Sequence, residues 1–287
     1  MSINEYKYFK EDETLFRIHI EQDEDAESPR EWDSNIGTMV CWHKNYNLGD
    51  EHNFSSPEDF LNNLVRDNIK ETTIINFIKK KKASNGLELR YSRKAQLWEL
   101  WGYYYWSLFG ESREPKFGVL ESSNLINYLV DDIIEAMSFE DKWKLLERHA
   151  GIVFLPLYLY DHSGITMNTK GFSCAFDSGQ VGYIYTTKEK VLKEVGCYEE
   201  NGKWKKAKTN WRNAAYANLE SEVKTYDMYL QNEVYGFVVE EFDSDDNWGE
   251  VESSWGFFSD NYGDALIEEI AREYTNETLY DSKECAA

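Results

Sequence analysis

The sequence predicts an α+β protein, and three observations predict it. Apolar and β-branched runs of strand length recur in pairs, as in IVFLPLYLY (152–160) and VGYIYTT (181–187). Helical signals gather between residues 56 and 149 and again near 210, rather than alternating with the strands. The chain has 287 residues, 41% hydrophobic and 16% aromatic, which is ample material for a packed core despite a net charge of −22.

Taken in order, TLFRIHI (14–20) reads as a strand, the acidic stretch after it as a loop, and IGTMVCW (36–42) as a second strand. Ser56-Pro57-Glu58-Asp59 combines a cap, a proline in the first turn and acids at the positive dipole end. The helix it opens is expected to run to Lys82, before Asn85-Gly86. In LWELWGYYYWSLFG (97–110), helical spacing puts Leu97, Trp98, Trp101, Tyr104, Tyr105 and Leu108 on one face, so a core helix is expected there. A stacking surface built on Trp98, Trp101 and Trp106 is the functional alternative. Two helices are expected over 122–149, the second opening at Ser138. The strands at 152–160 and 181–187 precede a short helix (187–196), a basic loop (196–210) and a long helix (210–231). VYGFVVEEF (234–242) and VESSWGFF (251–258) then form an antiparallel hairpin, and a helix over 261–274 follows. The expected organisation is a strand-plus-helical region, 1–150, and an α+β region with an acidic hairpin, 151–287.

Charge is distributed unevenly. Residues 1–33 hold 11 acids against 4 bases, residues 219–287 hold 19 against 3, and the middle is close to neutral. A phosphate-neutralising surface over the whole chain is therefore not expected, nor direct nucleic-acid binding. Lys79–Lys82 form a local basic run, placed where cations complement a helix C-terminus. Cysteines at 41, 174, 197 and 285 have no CxxC spacing, which excludes a disulfide framework or an all-cysteine zinc site. No apolar run reaches the roughly 18 residues of a membrane helix, and MSINEYKYFKEDE lacks the order of a signal peptide, so a cytoplasmic location is expected. Phosphate-loop, HExxH, GxSxG and kinase signatures are absent, and no cofactor is indicated.

Three polar clusters are candidates for chemistry. Asp161-His162-Ser163-Gly164 follows one strand, and Cys174 and Asp177-Ser178-Gly179 precede the next. An acid, an imidazole and a thiol at one sheet end are the parts of an activated nucleophile, so Asp161, His162, Cys174 and Asp177 are the candidate catalytic residues of a hydrolase or metal-dependent enzyme. The same residues also make turns, and Asp161 and His162, being adjacent on a strand, point to opposite faces. Cys41, His43, Asp50 and His52 are competent metal ligands, yet they match no known ligand spacing. DSDDNWGEVE (243–252) places Trp248 where a calcium loop needs glycine, so an acidic turn is expected instead.

The segments SPREWDSNIGTMVCWHKNYNLGDEH (28–52), LYLYDHSGITMNT with FSCAFDSGQVGYIYTTKEK (157–190), and EVYGFVVEEF with SSWGFF (233–258) resemble a group of phage, prophage and plasmid proteins, mainly of Gram-positive bacteria. That group carries no established activity, so no catalytic residue is transferred from it. The resemblance implies an accessory protein of a mobile element, a setting in which small acidic proteins bind and disable host defence enzymes. The expected partner is a host protein with a basic, DNA-binding groove, which the acids would occupy by charge mimicry. The expected contacts are Asp243, Asp245, Asp246 and Glu250 of the hairpin turn, with Glu268, Glu269 and Glu273 of the last helix.

Overall fold

The computed structural model describes residues 6–11, 13–104, 107–108, 111–112, 115–195, 197–200, 203–206, 210–243, 247–259, 269, 272, 279–281 and 283. Strands β1 (Lys7–Glu11), β2 (Thr14–Gln22) and β3 (Thr38–Cys41) come first, then helices α1 (Pro57–Asn68) and α2 (Glu71–Lys79). They are followed by β4 (Glu88–Ser92), β5 (Leu97–Tyr104), the short β6 (Ser107–Leu108) and β7 (Glu111–Ser112), and β8 (Lys116–Ser123). α3 (Val130–Ala136) and α4 (Phe139–Leu145) come next, and α4 continues as a π-helical turn, Leu146–Ala150. β9 (Ile152–Asp161), β10 (Ile165–Asn168), β11 (Ser178–Thr187), α5 (Lys188–Val195), β12 (Cys197–Glu200) and β13 (Lys203–Lys206) precede the long α6 (Trp211–Leu230). β14 (Val234–Phe242) and β15 (Trp248–Phe258) complete the order. Every strand pair with a defined register is antiparallel, and the class is α+β as expected.

The elements divide into two units, each drawing residues from both sides of residue 150. One comprises 1–35, 156–181 and 218–287, the other 36–155 and 182–217. The boundary crosses β9 and β11, which are neighbours in a sheet of order β10-β9-β11-β3. The three segments of the first unit carry net charges of −7, −1 and −16, so the whole net negative charge of the chain lies in it.

In the first unit, the sheet of order β1-β2-β14-β15 joins a hairpin near the start of the chain to one near its end. β2 pairs with β14 so that Ile18 faces Val239 and Ile20 faces Phe237, and these side chains are buried with Phe9 and Tyr235. Arg17 donates to both carboxylate oxygens of Glu240, at 2.6 and 2.8 Å, across this seam. The guanidinium also lies 4.3 Å from the Tyr6 ring centroid and 4.4 Å from that of Trp248. Arg30 pairs with Glu222 at 2.8 Å, a part-buried contact. Asp227 of α6 accepts from Thr166 Oγ1 and from the Met167 amide, which fixes β10; burial raises the pKa of its carboxyl above the ordinary value.

In the second unit, α1 to α4 share one core with β3 and β5. Phe60, Val65, Ile74, Ile78, Leu100, Ile133, Leu146 and Ile152 are its most enclosed apolar members. The predicted caps are in place, since Ser56 Oγ accepts from the Asp59 amide and Ser138 Oγ from the Asp141 amide. Asp141 is fully buried and accepts from the amide and hydroxyl of Ser84 at 2.7 and 2.9 Å. Its neighbour Lys142 is equally enclosed, with Glu58 at 3.9 Å, and burial lowers its pKa.

Four expectations are corrected here. The helix expected over 56–82 is two helices, because Ile69 is extended (φ −115, ψ 126) and buried, and the break lets Ile74, Ile75 and Ile78 face the core. The helix expected over 97–110 is strand as far as it is described. Its aromatic run fits a period of two as well as 3.6: Trp98, Leu100 and Gly102 turn toward the core, while Trp101 lies against Phe117 and Arg90. A Cβ at Gly102 would lie 2.8 Å from Leu120 Cδ1, so the glycine permits close packing inside the sheet. The helix expected to begin near 122 begins at Val130, because residues 116–123 pair with β5. The basic loop expected over 196–210 contains a hairpin, β12 with β13, on either side of an Asn-Gly signal. Of the last helix, only Glu269 and Arg272 are described, both helical.

Lys142→Met removes a desolvated ammonium whose nearest carboxylate, Glu58 at 3.9 Å, is exposed, so the melting temperature should rise by about 2 °C in a thermal scan. Hydrogen bonds from Arg17 hold the Glu240 pKa below its ordinary value of 4.5. A depressed carboxylate stabilises above its unfolded pKa, and that contribution is lost as pH falls through the folded pKa. Glu240→Gln should therefore cost about 1.5 kcal/mol at neutral pH by chemical denaturation, with the gap closing below pH 4.5.

Candidate functional site

β9 turns into β10 through His162-Ser163-Gly164, with Ser163 at φ 60 and Gly164 at φ 144. The insertion of β10 makes the connection from 161 to 178 a hairpin plus a loop. That loop returns so that the Asp161 amide donates to the Asp177 carbonyl at 2.8 Å. This contact places all four candidate catalytic residues at one end of β9 and β11.

Asp177 is the centre of the group. Its Oδ2 lies 3.5 Å from His162 Nδ1 and 3.6 Å from Cys174 Sγ, while Ser178 Oγ donates to the Cys174 carbonyl. Asp161 is exposed, and the His162 side chain is 63% exposed. The sequence clusters therefore converge, but in the order thiol–carboxylate–imidazole. Nucleophile activation needs the imidazole between the other two, where it can take the proton and be oriented by the acid. Here the carboxylate takes that middle place, and no bond joins His162 to Cys174 among the described residues. The arrangement closes the loop around the Asp177 carboxylate, and the Cys174 thiol has no imidazole contact among the described residues.

The second cluster is spread by its own backbone contacts. His52 Nε2 bonds the Cys41 carbonyl at 2.8 Å, His43 Nδ1 accepts from the Asn45 and Tyr46 amides, and Asp50 Oδ2 accepts from the Met39 amide. No group of three or more His, Cys, Asp or Glu able to hold a metal occurs among the described residues. Nor does any described helix have the length and apolarity to cross a membrane.

The acidic hairpin has the clearest exposed geometry. The Asp243 amide donates to the Asn247 carbonyl at 2.9 Å, closing the turn. Asp243, Glu250, Glu252 and Glu269 are exposed; Asp245, Asp246, Glu268 and Glu273 lie outside the described residues. β15 ends the sheet order, and Val251 and Trp255 on it are 50% and 46% exposed. Trp255 lies over Gly236 of β14, where any Cβ would strike its ring. Trp248 fixes the hairpin beneath the turn, with ring centroids 5.1 Å from Phe242 and 5.9 Å from Tyr8. Sequence reasoning missed the Arg17–Glu240 pair beneath it. Its available signal was a lone arginine in an apolar strand, which demands a partner.

His162→Ala is expected to change stability by less than about 0.5 kcal/mol in chemical denaturation, since the ring is exposed and its contact long. A scan against protein-family models, a search of curated proteins and a search of solved structures each found no match to this chain.

Proposed function

We propose that this protein is an acidic accessory protein of a mobile element that binds and inhibits a host protein through its β14–β15 hairpin. The observation that carries the reading is the outer strand β15. Among the described residues its outer edge has no partner strand, and it exposes carboxylates at Glu250 and Glu252 around the apolar Val251 and Trp255. An unpaired edge offers backbone hydrogen bonds, the carboxylates steer a basic partner, and the two apolar side chains supply an anchor. The concentration of acidity in this unit strengthens the steering.

A partner whose basic groove ordinarily holds DNA fits this surface, and inhibition is then competitive and salt-sensitive. The alternative is hydrolysis through Asp161, His162, Cys174 and Asp177. It draws on their convergence at Asp177 and lacks the thiol–imidazole contact.

Affinity capture by the full chain from host lysate at low and high salt, with mass spectrometry, tests the proposal. The expected result is one stoichiometric partner that leaves at high salt and is displaced by double-stranded DNA. Reversing Asp243, Asp245 and Asp246 to lysine should weaken that partner at least tenfold, an order-of-magnitude expectation for several steering charges (~1.4 kcal/mol or more). Affinity unchanged at low salt would sink the assignment of the hairpin.

A further inference from the structure

The second unit holds a feature that the acidic-binder reading does not use. Between the end of α2 and the π-helical turn lies a cavity of about 290 Å³. Lys80, Lys82, Lys144, Arg148 and His149 line it, and no Asp or Glu does. Four formal cations thus converge in a chain whose net charge is −22.

Helix-end electrostatics explains only part of this. Each helix C-terminus carries about half a negative charge, enough to favour a cation nearby by roughly 0.3–1 kcal/mol. The other members of the basic run are also spoken for: Lys79 lies 4.5 Å over the Trp98 ring, and Lys81 pairs with Glu88 at 3.2 Å. Lys144 bonds Glu140 at 2.6 Å. Lys80, Lys82 and Arg148 form no side-chain hydrogen bond, ion pair or ring contact among the described residues, although they share one concavity. A bound anion would relieve their mutual repulsion. The wider π-helical turn carries Arg148 and His149, and such turns occur often at functional sites. Phe77, half-buried, adds an aromatic wall.

We propose that this cavity binds a small phosphorylated ligand of nucleotide size, with its phosphates on Lys80, Lys82 and Arg148 and its ring against Phe77. The volume lies at the lower end of small-molecule sites, roughly 300 Å³ and above. It suits a mononucleotide better than a polymer. Arg148 supplies a bidentate fork to phosphate oxygens, and the lysines act as point charges.

The test is calorimetric titration of the full chain with adenosine diphosphate, pyrophosphate and adenosine, with circular dichroism of each variant to confirm folding. Adenosine diphosphate should bind at submillimolar concentration and adenosine should not. Lys80→Gln with Arg148→Gln should weaken binding at least tenfold, an estimate equal to ~1.4 kcal/mol. Lys81→Gln, whose side chain pairs with Glu88 instead, should leave it unchanged. Absence of binding by both phosphorylated probes at millimolar concentration overturns the site. So does equal binding by the folded double variant, and a short single-stranded oligonucleotide binding far more tightly than the mononucleotide overturns the small-ligand assignment. None of these outcomes depends on the hairpin or on its partner.

Discussion

The first unit depends on one seam, where β2 meets β14 over a sequence separation of 223 residues at the Arg17–Glu240 contact. Backbone pairing alone would leave an arginine and a glutamate facing each other in a partly buried strip. The forked guanidinium satisfies both carboxylate oxygens, and the rings of Tyr6 and Trp248 flank it. Glu240 stands opposite Glu250 on the outer strand, a like-charge pair across two strands. Arg17 neutralises the inner member, so the outer one can remain exposed at little cost. The acidic face of the hairpin and the apolar side of its sheet are thus reconciled by one cation.

Topology then decides where charge accumulates. The acidic stretches at 1–33 and 219–287 are far apart in sequence but fold into the same unit, while the other unit is left slightly basic. Each unit accordingly has its own electrostatic character. The acidic one suits encounter with a basic surface, and the other can concentrate cations around a cavity without an acidic neighbour in the lining.

Much of the fold was legible because local signals agreed with tertiary needs. Ser56 and Ser138 cap the helices they were expected to cap, and Val234–Phe242 with Trp248–Phe258 form the expected hairpin. Failures came where two periods fitted one run. Between 97 and 104 the aromatics satisfy either spacing, and pairing with β4 and β8, which local sequence does not encode, selects the strand. The helix break at Ile69 has no proline or glycine to announce it; it follows from where the isoleucines of α2 must go. At the candidate site, convergence of Cys174, Asp177 and His162 was legible from the flanking strands, but the order of the three groups was not. That order depends on loop geometry, which residue types alone leave open.

The interleaving of the two units has a consequence for how the chain is made. β2 leaves the ribosome ahead of the second unit, yet its partner β14 emerges more than two hundred residues later, after all of that unit. During that interval Ile18, Ile20 and Phe9 have no permanent cover, and the β2 edge is open to any strand nearby. High contact order of this kind slows folding and lengthens exposure to aggregation. Repulsion among the acids at 21–33 beside β2 then acts as a temporary guard, keeping nascent chains apart until the seam closes.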